Sequence, residues 1–402
     1  MRIIPIKRLL LYVGALCGLM ALLAACANTS GGSQVGSTPT TIQGAAVTNP
    51  AGDLPPSPSP GIHLGPQACP TAIKDPSYWA ALIPVQPDTQ KVQSVTCGYL
   101  KGVPTLQALV TVLNNGSGNV LDVYVYDNPG GATPVQIFKL QSLYKGDAKI
   151  SGYNSVLTAE VDMNSSANKG KSDAEYTRDL FREFKWSDGA GTLVQVAFPG
   201  LFPDLTRYQA EADQAAVNQG QQAWKLSATQ TAQALGASLL HWDQNATATL
   251  TSGGGNHDSQ AVVTLKDTTP PAGNGVTISM ARLEGNTNGG IWIVTDVEAS
   301  DISITQPQTG SIIHSTTSVS GTGNAFEGVI GQVAVLDHLY TDIGHAQVKG
   351  ATGNGKTTFT TSVTAQPTFK DGPQEGLVVL TSLSNANGKI AGAAIIKVLI
   401  QQ

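Results

Sequence analysis

The chain has 402 residues, with 23 lysines and arginines against 28 aspartates and glutamates, and a formal net charge of −5. Charged residues make up 13% of it, about half the ~25% of an ordinary soluble domain. A hydrophobic fraction of 41% is enough to build a core, which argues against a wholly disordered chain. The acidic balance argues against a protein that binds nucleic-acid phosphates.

The first 26 residues have the features of an export signal. Basic residues up to Arg8 precede an uncharged apolar run over Leu9–Ala25, as in a secretory signal peptide. The run ends in Leu-Ala-Ala and is followed by Cys26, which resembles the lipobox of bacterial lipoproteins. The resemblance implies a signal peptide at residues 1–25, a lipid on the Cys26 thiol and anchoring at the outer face of the cell membrane. The alternative is an uncleaved membrane helix, for which the run is at the short end of the ~17–25 residues that a span needs.

Removal of this signal leaves two cysteines for chemistry. Cys17 lies in the signal and Cys26 would carry the lipid, so Cys69 and Cys97 remain of the four. In an oxidising compartment we predict that these two form a disulfide. A redox pair or a thiol nucleophile is the alternative, although the spacing is far from C-x-x-C. Cleavage also removes three basic residues and no acidic one, which takes the net charge from −5 to −8.

A tether and an antiparallel β-rich domain are predicted next. Residues 26–66 are rich in Gly and Ser and then in Pro, so we expect a disordered tether. In the β-rich domain, residues 67–200, the β-branched and aromatic runs Leu106–Leu113 and Val120–Tyr126 flank a Gly/Asn turn typical of a hairpin. Further predicted strands are Val135–Leu140, Ala148–Tyr153, Val156–Asp162, Phe184–Trp186 and Leu193–Phe198.

Residues 201–300 are predicted to form a small α+β domain. A first helix is expected from about Pro203 to Gln219, and Ser227 and Gln230 form the S-x-x-Q pattern of a capping box before a second helix. Apolar residues of this second helix follow the helical period, which indicates a face buried in a core. Four strands are predicted after it: Ala246–Thr251, Ala261–Leu265, Val276–Leu283 and Ile291–Val297.

The last hundred residues contain four motifs in a fixed order. These are I-x-I-x-x-P-x-x-G from Ile302, V-x-G from Val319, F-E-G from Phe326, and a strand that ends at Asp337. Over about residues 301–400 the chain resembles the immunoglobulin-like domain of spore-germination lipoproteins, the second domain associated with the GerMN module. The resemblance implies a β-sandwich of about seven strands at residues 301–402, used as an interaction or structural module. It implies no catalytic residue.

Residues 350–357 satisfy the phosphate-binding loop pattern G-x-x-x-x-G-K-[ST]. A nucleotide site would need a helix after this loop, whereas the β-branched run Thr358–Val363 follows it. We therefore predict a Gly-rich hairpin turn and no nucleotide.

Two groups of polar residues invite comparison with metal sites. The first group comprises Asp337, His338, Asp342 and His345. It lies across a predicted strand end and a loop and lacks the spacing of a zinc signature, so we predict that these residues are solvated. The second group comprises Glu160, Asp162 and Asn164, which alternate along one face of a predicted strand. Three oxygen-bearing side chains on one face could bind calcium or a sugar, but a calcium site gathers 6–8 oxygens in a loop. A solvated sheet face is the preferred interpretation, and we predict no metal, cofactor or catalytic site.

One strand face is a candidate ligand surface. Asp122, Tyr124 and Tyr126 alternate along it, and aromatic rings beside an acid can stack on a sugar and hydrogen-bond to its hydroxyls. The same pattern is also typical of a row that faces a core, and both interpretations stay open from the sequence.

These features together predict a non-enzymatic lipoprotein, anchored at the cell surface, with an envelope structural, adhesion or spore-germination role. Its expected partners are the membrane, through the lipid on Cys26, and cell-wall polysaccharide or an envelope protein; nucleic acid and nucleotide are not expected. The alternatives are an extracellular module that binds glycan or peptide and, from a different class, an extracellular hydrolase with its site in residues 67–300.

Overall fold

The computed structural model describes residues 64–116, 119–268, 275–285, 289–351 and 355–402. The predicted signal peptide, Cys26 and all but the end of the predicted tether lie outside these ranges. No helix in the described part of the chain has both the length and the apolar composition to cross a membrane.

The first sheet is antiparallel and is covered on both faces. The helices α1 (Thr71–Lys74) and α2 (Pro76–Ala80) supply Ile73 and Trp79 to the core on one face. Its strands are hydrogen-bonded in sequence order, and their bounds are β1 (Pro66–Gln67), β2 (Gln90–Gly98), β3 (Gln107–Asn114), β4 (Val120–Asp127) and β5 (Val135–Tyr144). The predicted hairpin of β3 and β4 is confirmed, with Asn114 opposite Val120.

A second antiparallel sheet covers the other face of the first. Apolar residues from both sheets, Leu121, Val123 and Phe138 on one side and Val156 and Phe184 on the other, share one core. The strands of this sheet are also in sequence order: β6 (Asp147–Ile150), β7 (Val156–Glu160), β8 (Leu180–Ser187) and β9 (Thr192–Val196).

Two longer helices and four strands follow. The helices are α3 (Arg207–Asn218) and α4 (Ala228–Leu239), and the strands are β10 (Thr247–Gly253), β11 (Gln260–Lys266), β12 (Val276–Ala281) and β13 (Ile293–Glu298). Helix α3 begins later than predicted, because Thr206 and Gln209 form a full capping box there. At α4, Ser227 accepts a hydrogen bond from the Gln230 N–H at 3.4 Å.

The C-terminal residues form two facing sheets around one core. Their strands are β14 (Ile302–Gln306), β15 (Ser311–His314), β16 (Thr316–Ala325), β17 (Val329–Leu336), β18 (Asp342–Lys349), β19 (Gly355–Thr364), β20 (Gln374–Leu383) and β21 (Ile390–Gln401). One sheet has the order β14–β16–β19, and the other contains β18, β17, β20, β21 and β15. Because β18 and β19 lie in different sheets, the predicted hairpin turn at residues 350–357 is wrong; residues 352–354 of it lie outside the described ranges.

The second C-terminal sheet continues into the preceding strands. Val297 of β13 pairs with Ile395 of β21, which gives a nine-stranded sheet in the order β10–β11–β12–β13–β21–β20–β17–β18, with β15 beside β21. Strand β20 is buried on both faces, since Val378 enters the C-terminal core and Leu377 enters the core under α4. The predicted fold class, mostly β with an α+β middle and an immunoglobulin-like C-terminal sandwich, is confirmed. The domain boundaries stay predictions, and the sheet runs without interruption across the one placed at residue 300.

Candidate functional site

The candidate ligand surface on β4 is buried. Tyr124 and Tyr126 are 6% and 5% exposed, and the Tyr126 ring lies 5.2 Å from the ring of Trp79 in α2. Asp122 is also buried and accepts a hydrogen bond of 2.9 Å from the Ser142 N–H. The prediction of a ligand surface on these three residues is therefore wrong, because Tyr124 and Tyr126 share a core with Ile73 of α1 and Trp79 of α2. The sequence did not reveal this cover.

The predicted disulfide joins Cys69 to Cys97. Both sulfurs belong to the same core as Trp79 and Tyr126. The bond ties the segment that precedes α1 to β2, and so holds the two short helices against the sheet.

A buried ion pair attaches the C-terminal sandwich to the rest of the protein. Lys397 Nζ lies 3.1 Å from Glu375 Oε2, with both side chains buried, and it donates hydrogen bonds to the carbonyls of Gly200, at 3.0 Å, and Leu205. Glu375 Oε1 accepts a hydrogen bond from the Phe198 N–H at 3.1 Å. Burial, partly offset by Lys397, raises the pKa of Glu375 to about 7.

More polar contacts join the sandwich to the preceding residues. Residues 337–341 and 366–375 contact residues 160–205, and we call this contact the sandwich interface. Glu160 pairs with Arg182 in a buried ion pair, and Arg182 also reaches the Asp371 carbonyl at 3.4 Å. Asp162 accepts a hydrogen bond from Thr368 Oγ1 at 2.5 Å. The solvated sheet face predicted for Glu160 and Asp162 is therefore wrong, because the loop before β20 covers it.

His338 also belongs to the sandwich interface. It is buried, its Nδ1 is hydrogen-bonded to Gln374, and its Nε2 lies 3.7 Å from Asp179 Oδ2. Burial opposes its protonation, but Asp179 and Asp337 outweigh that effect and raise its pKa. The expectation that Asp337 and His338 are solvated is wrong, since both are buried, whereas His345 is exposed and lies 2.8 Å from Asp342. The described residues contain no group of three or more metal-ligating side chains.

A second set of buried charges lies on the opposite side of β8. Arg207, at the start of α3, binds Glu183 Oε1 through Nε at 2.9 Å and Glu284 Oε1 through Nη1 at 2.5 Å. Ser155 Oγ donates to the same Glu183 oxygen at 2.7 Å, and the Tyr153 ring lies 4.1 Å from the guanidinium. One guanidinium therefore serves two carboxyl groups away from water.

This arrangement changes the acidity of the groups involved. Burial, only partly offset by Arg207, raises the pKa of Glu284 to about 8. Burial of Arg207 itself is outweighed by its two carboxyl partners, which raise the pKa of the guanidinium. Burial, together with the charge of Glu284, raises the pKa of Tyr153 to about 12. The raised pKa favours the protonated form of Glu284 at neutral pH.

An open cleft of about 470 Å³ leads from the surface to Glu284. We call it the Glu284 cleft, and its lining includes Gly152, Tyr153, Glu211, Gln214, Glu284 and Gly285. Glu211 is fully engaged at its rim, since Oε1 accepts from the Gly152 N–H at 2.9 Å and Oε2 pairs with Lys149 at 2.7 Å. Glu284 is more deeply buried: its side chain is 5% exposed, and Oε1 accepts a hydrogen bond from Arg207.

Gln214 of α3 holds the backbone of residues 289–291. Its Oε1 accepts from the Ile291 N–H at 2.9 Å, and its Nε2 donates to the Gly289 carbonyl at 2.7 Å. Gly285 has a φ of +71°, and a Cβ there would lie 2.7 Å from Gln214 Oε1. The positive φ favours glycine at this position.

A smaller groove of about 220 Å³ lies between β13 and β14. Asp296 and Glu298, two residues apart on β13, line it. Burial and then the negative charge of Glu298 raise the pKa of Asp296 to about 6. Neither carboxyl group acts on the pKa of Glu284, so this pair provides a control for experiments on Glu284.

The sequence did not indicate the Arg207 set. Its members, Glu183, Arg207 and Glu284, lie in three separate segments, and no local spacing connects them. No local signal in the sequence connects them.

The two sheets around one core make the C-terminal residues an immunoglobulin-like β-sandwich. Residues 301–389 match the family model of the immunoglobulin-like domain of bacterial spore germination, which confirms the resemblance for this part of the chain. No curated protein matches the chain at a significant level.

Proposed function

We propose that the protein is an exported lipoprotein with an envelope structural or adhesive role, associated with spore germination, and that it is not an enzyme. The observation that carries this proposal is the match of residues 301–389 to the spore-germination domain. The lipobox pattern that ends at Cys26 supports anchoring at the outer face of the membrane.

The attachment of the sandwich supports a load-bearing or presenting role. Buried pairs such as Glu375 with Lys397, and the pairing of β13 with β21, join it to the preceding residues. A module joined through buried charges and a shared sheet keeps a fixed orientation, whereas flexible linkers allow domains to reorient. The sandwich would thus be presented to the envelope in one direction.

The turn after β16 offers a contact point for an envelope partner. Phe326 is 45% exposed there, and Glu327 and Gly328, both with positive φ, form the tight turn that presents it. An exposed aromatic side chain on a rigid turn can bury a large apolar area on contact with a partner.

Capture of the intact chain on purified cell wall and on envelope extract of a spore-forming bacterium tests this proposal. We expect retention by one of these fractions and a loss of retention in Phe326→Ser. Leu250→Ser is the matched control, because Leu250 on β10 is 43% exposed and lies outside the sandwich. Equal retention of both variants and the wild type would argue against a role of the sandwich, and retention by neither fraction would contradict the envelope role.

The Glu284 cleft favours a second candidate function, a module that binds an extracellular peptide or small ligand. Its lining combines apolar residues, Pro66 and Ile150, with polar side chains such as Gln214 and Glu284, as the lining of ligand sites does. The hydrolase alternative would be favoured by a carboxylate and a histidine in one pocket, and no histidine is among the described residues that line this cleft.

A further inference from the structure

One lysine and one glutamate of the sandwich are shielded from solvent together. The side chains of Lys397 and Glu375 are 0% and 1% exposed, which is less than in any other lysine ion pair of the described residues. They lie on neighbouring antiparallel strands, since Lys397 is opposite Leu377, two residues along β20 from Glu375. The sheet therefore holds an amine and a carboxyl group against each other in a fixed, water-excluded geometry.

The two groups are in contact without a hydrogen bond to the nearer carboxyl oxygen. Lys397 Nζ lies 3.1 Å from Glu375 Oε2, yet Oε2 is buried without a hydrogen-bond partner in the part of the chain that the structure describes. Lys397 Nζ instead donates to the carbonyls of Gly200, at 3.0 Å, and Leu205. These carbonyls can accept both N–H groups of a neutral amine, which leaves the nitrogen lone pair for the carboxyl group.

The surroundings also favour the uncharged forms of both groups. Burial lowers the pKa of Lys397 and, partly offset by Lys397, raises the pKa of Glu375 to about 7. A neutral amine is the nucleophilic form of lysine, and burial away from water is one way in which proteins produce it. The Phe198 N–H donates to Glu375 Oε1 at 3.1 Å. A fixed donor at this oxygen stabilises the negative charge that develops there during nucleophilic attack.

We propose that Lys397 and Glu375 condense to an isopeptide bond, a covalent link between the last two strands of the sandwich. The lone pair of Lys397 Nζ attacks Glu375 Cδ, so the Nζ–Cδ bond forms while Oε1 carries the developing negative charge. The Cδ–Oε2 bond then breaks, and Oε2 leaves as water with the proton of the acid and one proton of the amine. The step needs no oxidant, reductant or further reactant. The inference goes beyond the envelope role and does not depend on the lipid on Cys26.

Peptide mapping of the intact protein, folded and incubated at neutral pH, tests the proposal. Trypsin cleaves after free lysines such as Lys370, Lys389 and Lys397, whereas a lysine in an amide bond resists cleavage. The isopeptide bond should therefore join residues 371–389 to residues 390–402 in one branched peptide, lighter than the two together by one water molecule. Without the bond, residues 371–389, 390–397 and 398–402 should appear as separate peptides. Fragmentation of the branched peptide should place the link between Glu375 and Lys397.

Two controls accompany the digest of the wild type. Lys397→Arg keeps a cation at this position, but its guanidinium stays charged and is not a nucleophile, so this variant should give no linked peptide. Lys101 and Asp127, which are 2.7 Å apart and partly exposed, should stay unlinked in the wild type. Separate peptides alone from the folded wild type would overturn the proposal, whether or not the Lys397→Arg protein folds. Equal linking of Lys101 to Asp127 would also overturn it, because burial would then not select the reacting pair.

Discussion

Lys397 and Glu375 lie on neighbouring strands and form an ion pair with no measurable contact with solvent. Each partner also binds backbone from another part of the chain: Lys397 donates to the Gly200 and Leu205 carbonyls, and Glu375 accepts from the Phe198 N–H. The pair therefore connects the last two strands of the sandwich to the segment that leads into α3. A charged pair at this position fixes one orientation of the two parts, because any displacement would leave a buried charge unpaired.

Replacement of one partner should be far more costly than replacement of both. We expect Lys397→Met to lower the free energy of unfolding by about 3–5 kcal/mol, since Glu375 would remain buried without its cation. The double variant Lys397→Met with Glu375→Gln should recover part of the loss, because glutamine still accepts from the Phe198 N–H. Urea denaturation of the three proteins measures these differences.

The control for this prediction is Lys389→Met. Lys389 is exposed on the loop between β20 and β21, and its replacement should change the stability by less than about 0.5 kcal/mol. A Lys397→Met protein as stable as this control would show that the ion pair does not hold the sandwich in place.

The raised pKa of Glu284 should appear in the pH dependence of stability. Between its ordinary value of 4.5 and about 8 the folded protein holds a proton on Glu284 that the unfolded chain releases. The contribution of Glu284 to the free energy of unfolding therefore falls as the pH rises through that window, by up to about 1.4 kcal/mol per pH unit. The Glu284→Gln protein should lose this slope, which denaturation at several pH values would measure.

Asp296 should affect stability over a narrower pH range and provides the control for Glu284. The pKa of Asp296 is raised to about 6, so the difference between the wild type and Asp296→Asn should develop below that pH and stay constant above it. Curves for Glu284→Gln and the wild type that remain parallel from pH 5 to pH 8 would be incompatible with a protonated Glu284.

The Cys69–Cys97 disulfide should contribute strongly to the stability of the first sheet. It closes a loop with a sequence separation of 28, for which the chain-entropy model gives about 3–4 kcal/mol. The Cys69→Ala, Cys97→Ala protein should unfold at correspondingly lower denaturant concentration. Added reductant should lower the stability of the wild type towards that of the variant and leave the variant unchanged; a response of the variant to reductant would point to another cause.

Local patterns in the sequence predicted much of the fold. The hairpin of β3 and β4 follows from β-branched runs around a Gly/Asn turn, and α4 follows from its helical period and the Ser227 cap. The burial of Tyr124 and Tyr126 could not be predicted from the sequence, because the residues of β4 alone are typical of a strand with one polar face. The Tyr126 ring is covered by Trp79 of α2, and the disulfide ties the segment before α1 to β2. Both Trp79 and the disulfide are far from β4 along the chain.

The candidate site was beyond the reach of local patterns for the same reason. Glu183, Arg207 and Glu284 meet because β8, α3 and the segment after β12 converge. Glu160 and Asp162 were predicted to lie on one solvated strand face, because the loop that covers them begins some two hundred residues later; the strand itself ends at Glu160. Spacing identifies neighbours on one element, whereas packing between elements decides which charges are buried together.

Metabolic labelling with a palmitate analogue, followed by protease treatment of intact cells, tests the central claim most directly. The proposed lipoprotein should incorporate the label and be digested from outside, and Cys26→Ala should incorporate none. Surface protein should also decrease in that variant, because the lipid is the proposed anchor. Label in Cys26→Ala equal to that in the wild type, or no label in a wild-type protein that reaches the surface, would contradict the account.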